Sequence, residues 1–529
     1  MRRTLISAAV FLMFFSCTKG REDIIGGKEG ADPVLKAVVT TVSTVVLPEG
    51  ESAEVSFGVV DPEYKFNYSV STPECKIKLL LSGGKEPSNF RLKDVFYISS
   101  KNSYVAVIED CGSGKNYDDE AFIAIFFDSG NGAFVKSSPF RVISQIDPAG
   151  SVKTGLPLVY VNTQGGVGVY SKTEFVPATM SIKGAGTIPG LADVTCNIRG
   201  RGNTTWTWPK KPYLIKLDSR TSVLGFPEHK RWVLLANFMD RTLMRNMVSM
   251  KVSSMMTNLA WTPHCQPVEL ILNGKHVGNY LLIEQVRVDE NRVNISEQGG
   301  YLLELDFHYD NEFQWKDHNI PFAVKYPDPE DLTAQQKTYI KNYIAEVSNV
   351  IYGSNFKDSQ NGYAKYLDVD SFIDYWIVYE VMGNHELGNP GSVFFHKDVN
   401  GKLTAGPCWD FDWGVLSFKT SPQAETGLVN GNAIWYKRLF EDPAFKTRVR
   451  DRFNELLPQL ETIPDYMEEC RSLLSESAKL NFAMWNPADD KSQNGGSIIN
   501  GDENMTFDAA VDRLKSNYNK HLQAIQSKL

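Results

Sequence analysis

Between Val34 and Ile146, apolar and polar residues alternate in short runs. "KAVVTTVSTVVLPEG", "ESAEVSFGVV", "KIKLLLSG", "SYVAVIED" and "EAFIAIFFDSG" are β-branched or aromatic stretches separated by Gly, Pro, Asn and Asp. A period of two puts every second side chain on one face, and runs punctuated at this spacing predict an all-β sandwich of immunoglobulin-like type over residues 34–146. "SQIDPAGSVKTGLP" then has the composition of a linker and places a boundary near Asp147.

Beyond Asp147 the pattern is mixed, predicting an α+β domain over residues 147–529. "LPLVYVNT", "TMSIKG", "DVTCNIRG", "PYLIKLD", "RWVLLANF", "PVELILNG", "GNYLLIEQVRV" and "GGYLLELD" read as strands. "NGKHVGNY" joins two of them as a hairpin with Asn273-Gly274 at the turn. In "DRTLMRNMVSMKVSSMMTNLAW" the period lengthens to about 3.6, and Met244, Met247, Val248, Val252, Met255, Met256 and Leu259 line one broad face. That face reads as core rather than as a Met-rich binding groove. A second helix, "LTAQQKTYIKNYIAEVSNVIY", is expected to bury Tyr339, Ile340, Tyr343, Ile344, Val347 and Ile351. A third, "SFIDYWIVYEVM", opens at Ser371 with Asp374 three residues on, close to a capping box. The tail from Asn432 to Leu529 is expected to be largely helical.

Length and charge narrow the picture. A chain of 529 residues exceeds what one core supports, and a net charge of -8 without a basic domain argues against a nucleic-acid partner. "MRRTLISAAVFLMFFSC" has the basic start and short apolar run of an export signal. Ser16 before Cys17 resembles a bacterial lipobox, so Cys17 is the expected lipidation site, with residues 18–33 as a polar tether. The expected location is the bacterial envelope, at the outer membrane or cell surface. The remaining cysteines form no CxxC pair or Cys/His cluster, which argues against zinc; Cys75 and Cys111 either pair or stay as thiols.

Three polar clusters interrupt this framework. In "DVTCNIRGRGNTTWTWPKKPYLIKLD", residues 193–218, Gly200 and Gly202 let backbone approach a ligand closely, while Lys210, Lys211 and Lys216 carry charge suited to phosphate. On "PYLIKLD", Lys216 shares a face with Leu214, and Tyr213 with Ile215. A solvated basic hairpin has the same composition, so the stretch alone leaves both readings open. In "MGNHELGNPGSVFFHKD", Asn384, His385, Glu386, Asn389 and Ser392 crowd a bent loop, which is either a carrier of catalytic groups or a polar turn. In "GPCWDFDWG", Asp410 and Asp412 alternate with Trp409, Phe411 and Trp413. If extended, both carboxylates share one face, where repulsion is costly unless a cation sits between them, and hard oxygen ligands suit Mg²⁺ or Mn²⁺.

In this order, "RGRGNTTWTWPKKPYLIKLD", "NFMDRTLMRN", "GNYLLIEQV", "GGYLLELD", "GNHE" and "WDFDWG" closely resemble the CotH family, the spore-coat atypical kinases, from about residue 155 to beyond 450. The resemblance implies an atypical protein-kinase-like fold that binds ATP with Mg²⁺ or Mn²⁺ and phosphorylates Ser/Thr hydroxyls of a protein. It implies that Arg201, Gly202 and Asn203, with Lys216 or Lys211, hold the ATP phosphates. Asp410, with Asp412, would stand where kinases place the metal-binding Asp of their DFG motif. Arg245 and Glu284 would orient the nucleotide or the lysine, or else form an ordinary ion pair. Glu386 would accept the proton of the substrate hydroxyl.

One departure follows. The family pattern has Asp in that loop and Asn five residues later; here the residues are Glu386 and Gly391, followed by Ser392, leaving Asn384 or Asn389 as substitute metal ligand. An added methylene moves the base by about an ångström, and misplacement on that scale costs on the order of a hundredfold in rate. The alternative expectation is therefore a catalytically weak or inactive kinase-like lipoprotein acting as a binding, structural or adhesion module, with Trp206 and Trp208 offered for stacking.

Overall fold

The computed structural model describes residues 38–40, 44–47, 50–59, 76–98, 103–112, 117–126, 134–144, 152–489 and 500–529. Cys17, Cys75 and Asp147 lie outside these residues, and with them the lipid anchor, the Cys75–Cys111 pairing and the linker. Among the described residues Cys111, Cys196, Cys265, Cys408 and Cys470 are free thiols. The chain divides into two compact units between Ser151 and Val152.

The first unit is all-β. One sheet runs in the order Val38–Thr40, Ser52–Val59, Ser103–Asp110, Phe90–Ile98; the other runs Thr44–Leu47, Phe140–Ser144, Asp118–Phe126, Lys76–Leu81, with Phe134–Lys136 also paired to Asp118–Phe126. Inward residues of both sheets, including Val55, Phe57, Ile108, Ile123, Ile125 and Val142, form one apolar core. The alternation along these strands therefore separates core from solvent.

In the second unit seven strands close a barrel: β1 (Leu158–Thr163), β2 (Val176–Lys183), β3 (Leu191–Gly200), β4 (Tyr213–Thr221), β5 (His229–Leu235), β6 (Cys265–Leu272) and β7 (Lys275–Glu284). The order is β1-β2-β3-β4-β5-β7-β6, and parallel pairing of β1 with β6 closes it. Tyr213, Ile215 and Leu217 of β4 fill the interior with Ile198, Trp232, Leu270 and Leu282. Leu214 faces the other way and joins Val233, Leu235, Leu281 and Ile283 in a larger core shared with the rest of the unit. The β6–β7 hairpin turns at Asn273 and Gly274, whose φ of 51° and 77° fit a turn that needs two left-handed residues.

A second, antiparallel sheet comprises β8 (Tyr301–Leu305), β9 (Gln314–Asp317), β10 (Ile320–Tyr326), β11 (Val393–Lys397) and β12 (Leu403–Ala405), in the order β9-β10-β8-β11-β12. Eight helices complete the described residues: α1 (Thr204–Thr207), α2 (Arg245–Ser254), α3 (Ala334–Tyr352), α4 (Val369–Val381), α5 (Tyr436–Leu439), α6 (Pro443–Leu460), α7 (Ile463–Met484) and α8 (Phe507–Lys528). Among the described residues no helix is long and apolar enough to cross a membrane.

The helices refine the sequence expectations. α2 is buried on almost every side, so Met247 and Met250 are core and the methionines form no open groove. On α3, Ile340, Ile344, Val347 and Ile351 are inside, but Tyr339 is 46% exposed. The buried stripe is narrower than the apolar stripe, and Tyr339 lies at its edge, stacked on Tyr301 at 5.8 Å. α4 starts after Asp368, two residues ahead of the expected Ser371. The Ser371 hydroxyl instead accepts the Ala405 N–H at 3.0 Å, and Asp374 accepts from Arg452 Nε at 2.8 Å and from the Asn258 N–H at 3.0 Å. Both polar residues serve tertiary contacts, which outweigh a local cap.

At the start of β5, His229 Nδ1 accepts the Arg231 N–H at 2.9 Å, while burial and then Arg292 push its pKa down to about 4 from 6.5. A folded pKa below the unfolded one means that the unfolded chain binds more protons in this window, so stability falls as pH drops from about 6.5 toward 4. His229→Asn is expected to flatten that decline, measured as denaturation midpoint against pH; an unchanged slope would contradict the assignment.

Candidate active site

The second unit contains a cavity of about 720 Å³ lined from three directions. The end of β3 and the turn after it contribute Arg199, Arg201, Gly202 and Asn203; β8, β10 and the residue after β8 contribute Glu304, Lys325 and Asp306; two loops contribute Glu386, Asn389, Ser392, Asp410 and Asp412. A neighbouring cavity of about 870 Å³ shares Arg199, Arg201, Glu304, Lys325 and Ser392 with it and adds Arg231, Arg287, Phe394 and Trp409. Shared walls make the two a continuous cleft.

Local chemistry explains why these side chains meet. Gly202 has a φ of +83°, and a Cβ there would lie 2.0 Å from Thr205 Oγ1, so the turn after β3 demands glycine. The Arg201 guanidinium lies 5.5 Å from the centre of the Trp409 ring. Glu386 sits in a single 3₁₀ turn, His385–Leu387, capped by the Asn384 side chain, which accepts the Glu386 N–H at 2.9 Å. Asp410 holds a φ of +65°, so this segment is not the extended strand that the alternating acids suggested, yet both carboxylates line the cavity. Asn246 accepts the Phe411 N–H at 2.8 Å and fixes the loop from beneath.

The site is electrostatically uneasy. Burial raises the pKa of Asp410 and Asp412, and Asp410 raises Asp412 further, against the pull of Arg201. Glu386 is held well above the usual carboxylate range by burial and then by Asp410 and Asp412. Its Oε2 is buried without a hydrogen-bond partner. Burial pulls Arg201 down while Asp410, Asp412 and Glu304 oppose this. Such a set accommodates a polyanion carrying its own cation: arginines meet the anion, and orphaned carboxylate oxygen meets the cation. Among the described residues no group of three or more His, Cys, Asp or Glu side chains is arranged to hold a metal alone. A phosphate-bound Mg²⁺ needs only one or two carboxylates, with phosphate and water completing its shell, so the residues fit that group.

The expected site residues fall into two sets. Arg201, Gly202, Asn203, Glu386, Asn389, Asp410 and Asp412 line the cavity, whereas Lys211, Lys216, Arg245, Glu284 and Asn384 do not. Lys216 is exposed; it shares a strand face with Leu214, but only Leu214 reaches the cavity. Lys211 donates to the Trp206 carbonyl at 2.8 Å, and Lys210 is buried, donating to the Ala236 carbonyl at 2.8 Å and to Asn481 Oδ1 at 2.7 Å. Glu284 is buried and accepts from the His264 N–H at 2.9 Å, and Asn384 is spent on capping. Trp208 is buried against Phe238, which removes it as an exposed stacking platform.

Two further cations line the cleft beside Arg201; these, Arg199 and Lys325, were missed, as were Glu304 and Asp306. The acids had a readable signal: in "YLLELD" they alternate on one strand face as Asp410 and Asp412 were thought to do. If the cleft takes a nucleotide, Arg201→Ala is expected to weaken its binding about tenfold or more, and Lys216→Ala by less than about twofold, in parallel titrations, since a charge-assisted contact contributes ~1.5–3 kcal/mol and an exposed remote charge little. The reverse ranking would restore the lysine.

A closed barrel with a second sheet and helices, and arginines and carboxylates lining one cleft, define a mixed α/β protein. The model of the CotH kinase protein family matches residues 198–525, more than half the chain, and the chain belongs to that family. No curated protein matches the chain significantly.

Proposed function

We propose that the cleft binds ATP with Mg²⁺ or Mn²⁺ and transfers the γ-phosphoryl group to a Ser/Thr hydroxyl of a protein. One observation carries this reading: the turn Arg201–Asn203, the loop acid Glu386 and the pair Asp410/Asp412, scattered over more than two hundred residues, line a single cavity. Arg201 and Arg199 face the phosphates, and Asp410 and Asp412 hold the cation. When bound, that cation offsets charge on the phosphate oxygens. The neighbouring cavity gives the base and ribose room. Glu386, whose buried Oε2 has no other hydrogen-bond partner, takes the proton as the acceptor oxygen bonds to phosphorus and the bond to the ADP oxygen breaks.

A second reading, nucleotide binding with little turnover, is favoured by Gly391. A Cβ at this position would lie 3.1 Å from Phe307 Cε1. Any side chain here would need Phe307 to give by a few tenths of an ångström, and with glycine in place the second metal ligand of the family pattern is absent. In both readings the first unit is an immunoglobulin-like spacer and Cys17 a lipid anchor, placing the cleft outside the inner membrane.

A thermal shift of the purified protein by ATP with Mg²⁺ or Mn²⁺ is expected in both; transfer of labelled γ-phosphate separates them. No shift with either metal sinks both.

A further inference from the structure

The acidic loop Asp410–Gly414 belongs to no helix or strand, and its ends, Asp410 and Gly414, both hold positive φ, at 65° and 70°. A loop of this kind has no ladder of its own, so its shape is imposed by outside partners. Asn246 supplies one, at Phe411. Asn500, from the C-terminal segment, supplies two more. Its Oδ1 accepts the Gly414 N–H at 3.0 Å, while its Nδ2 donates to the Asp412 carbonyl at 3.1 Å and to the Met239 carbonyl at 3.1 Å. Asn500 is fully buried, and its own carbonyl accepts from Ser417 Oγ at 3.0 Å and from Arg513. Two residues on, Asp502 accepts from Arg245 Nη2 at 2.7 Å, and Arg245 Nε donates to the Val415 carbonyl at 3.0 Å. The C-terminal segment thus grips the loop at Asp412 and Gly414 directly and at Val415 through one arginine.

We infer that Asn500 is a positioning residue for the loop acids. It does not line the cavity, so it is no ligand to nucleotide or cation. Its carboxamide fixes the backbone on either side of Trp413, and thereby the directions in which the Asp410 and Asp412 carboxylates point. The inference rests on the proposed role of those acids. Without the carboxamide, the Asp412 carbonyl and the Gly414 N–H lose their partner, and the carboxylates lose their fixed placement. Displacement of a binding group by about an ångström is enough to cost on the order of a hundredfold.

The test is Asn500→Ala in the full-length protein, read in two ways. In the nucleotide-free protein, amide hydrogen exchange of the peptide covering residues 410–416 is expected to quicken at least about tenfold, with α4 and α6 unchanged. With ATP present, the Mn²⁺ concentration for half-maximal binding is expected to rise by about tenfold or more. Asn500→Gln keeps both donor and acceptor but sets them one methylene out of place, so it falls between parent and alanine variant; it serves equally if Asn500→Ala does not fold. Unchanged loop exchange and metal requirement, in a parent that binds nucleotide, overturns the positioning role alone. Faster exchange spread equally over α4 and α6 overturns it too, as general destabilisation. A parent that binds no nucleotide at any metal concentration overturns the proposed function instead.

Discussion

Asp410→Asn is expected to lower phosphoryl transfer by at least about a hundredfold while leaving the protein folded and slightly more stable when no nucleotide is bound. Asparagine tolerates the left-handed backbone that this position requires, at φ +65°, better than any residue but glycine. Its side-chain oxygen still accepts the weak contact from Ser392 Oγ at 3.5 Å. What disappears is one negative charge from a group of acids whose pKa values burial and mutual repulsion push upward. Removing it relieves the empty site and deprives the filled one, a trade common where a binding site is built from like charges. Labelled phosphate transfer and thermal midpoints with and without ATP–Mg²⁺ measure both halves. Full transfer by this variant would remove Asp410 from the mechanism.

Arg245→Met is expected to destabilise the protein by about 3–5 kcal/mol, the cost of breaking a buried ion pair by removing one partner. Arg245 is wholly buried and donates to Asp240, to Asp502 at 2.7 Å and to the Val415 carbonyl at 3.0 Å. Burial alone would lower its pKa; the two carboxylates outweigh that and hold it above its ordinary value. Methionine fills comparable space, leaves Asp240 without its cation and leaves Asp502 with Arg513 alone, 3.4 Å away. A loss of this size is a large share of the stability of an ordinary domain. The denaturant midpoint reports it, and adding Asp240→Asn and Asp502→Asn to Arg245→Met should recover much of it. Normal stability in Arg245→Met would contradict the account of this network. This residue thus braces the fold and does not line the cleft.

Local pattern and long-range placement explain what the sequence disclosed. The barrel strands were legible because a period of two is visible residue by residue, and Tyr213, Ile215 and Leu217 do face inward while Leu214 faces out. The same period could not say where along the outer face the cleft ends: Leu214 lines it, and Lys216, two residues on along that face, lies beyond it. Tyr339 was misplaced because apolar character does not fix which edge of a helical stripe meets the core. Asp410, Asp412 and Glu386 were legible as a motif, but the positive φ of Asp410 was not, and the loop's partners Asn246 and Asn500 lie far away in sequence. Asn500 carried no local sign: its role exists only once a C-terminal segment lies beside a loop some ninety residues earlier. Arg199 and Lys325 were passed over for the same reason.

The central claim, that the cleft holds a metal-bound nucleotide between its arginines and its acids, meets its most direct test in titration calorimetry of the full-length protein with ATP in the presence of Mg²⁺ or Mn²⁺. One saturable site is expected, requiring the metal, and lost when Arg201→Ala and Asp410→Asn are combined. Absence of saturable binding with both metals, or binding that survives the double substitution unchanged, would contradict it.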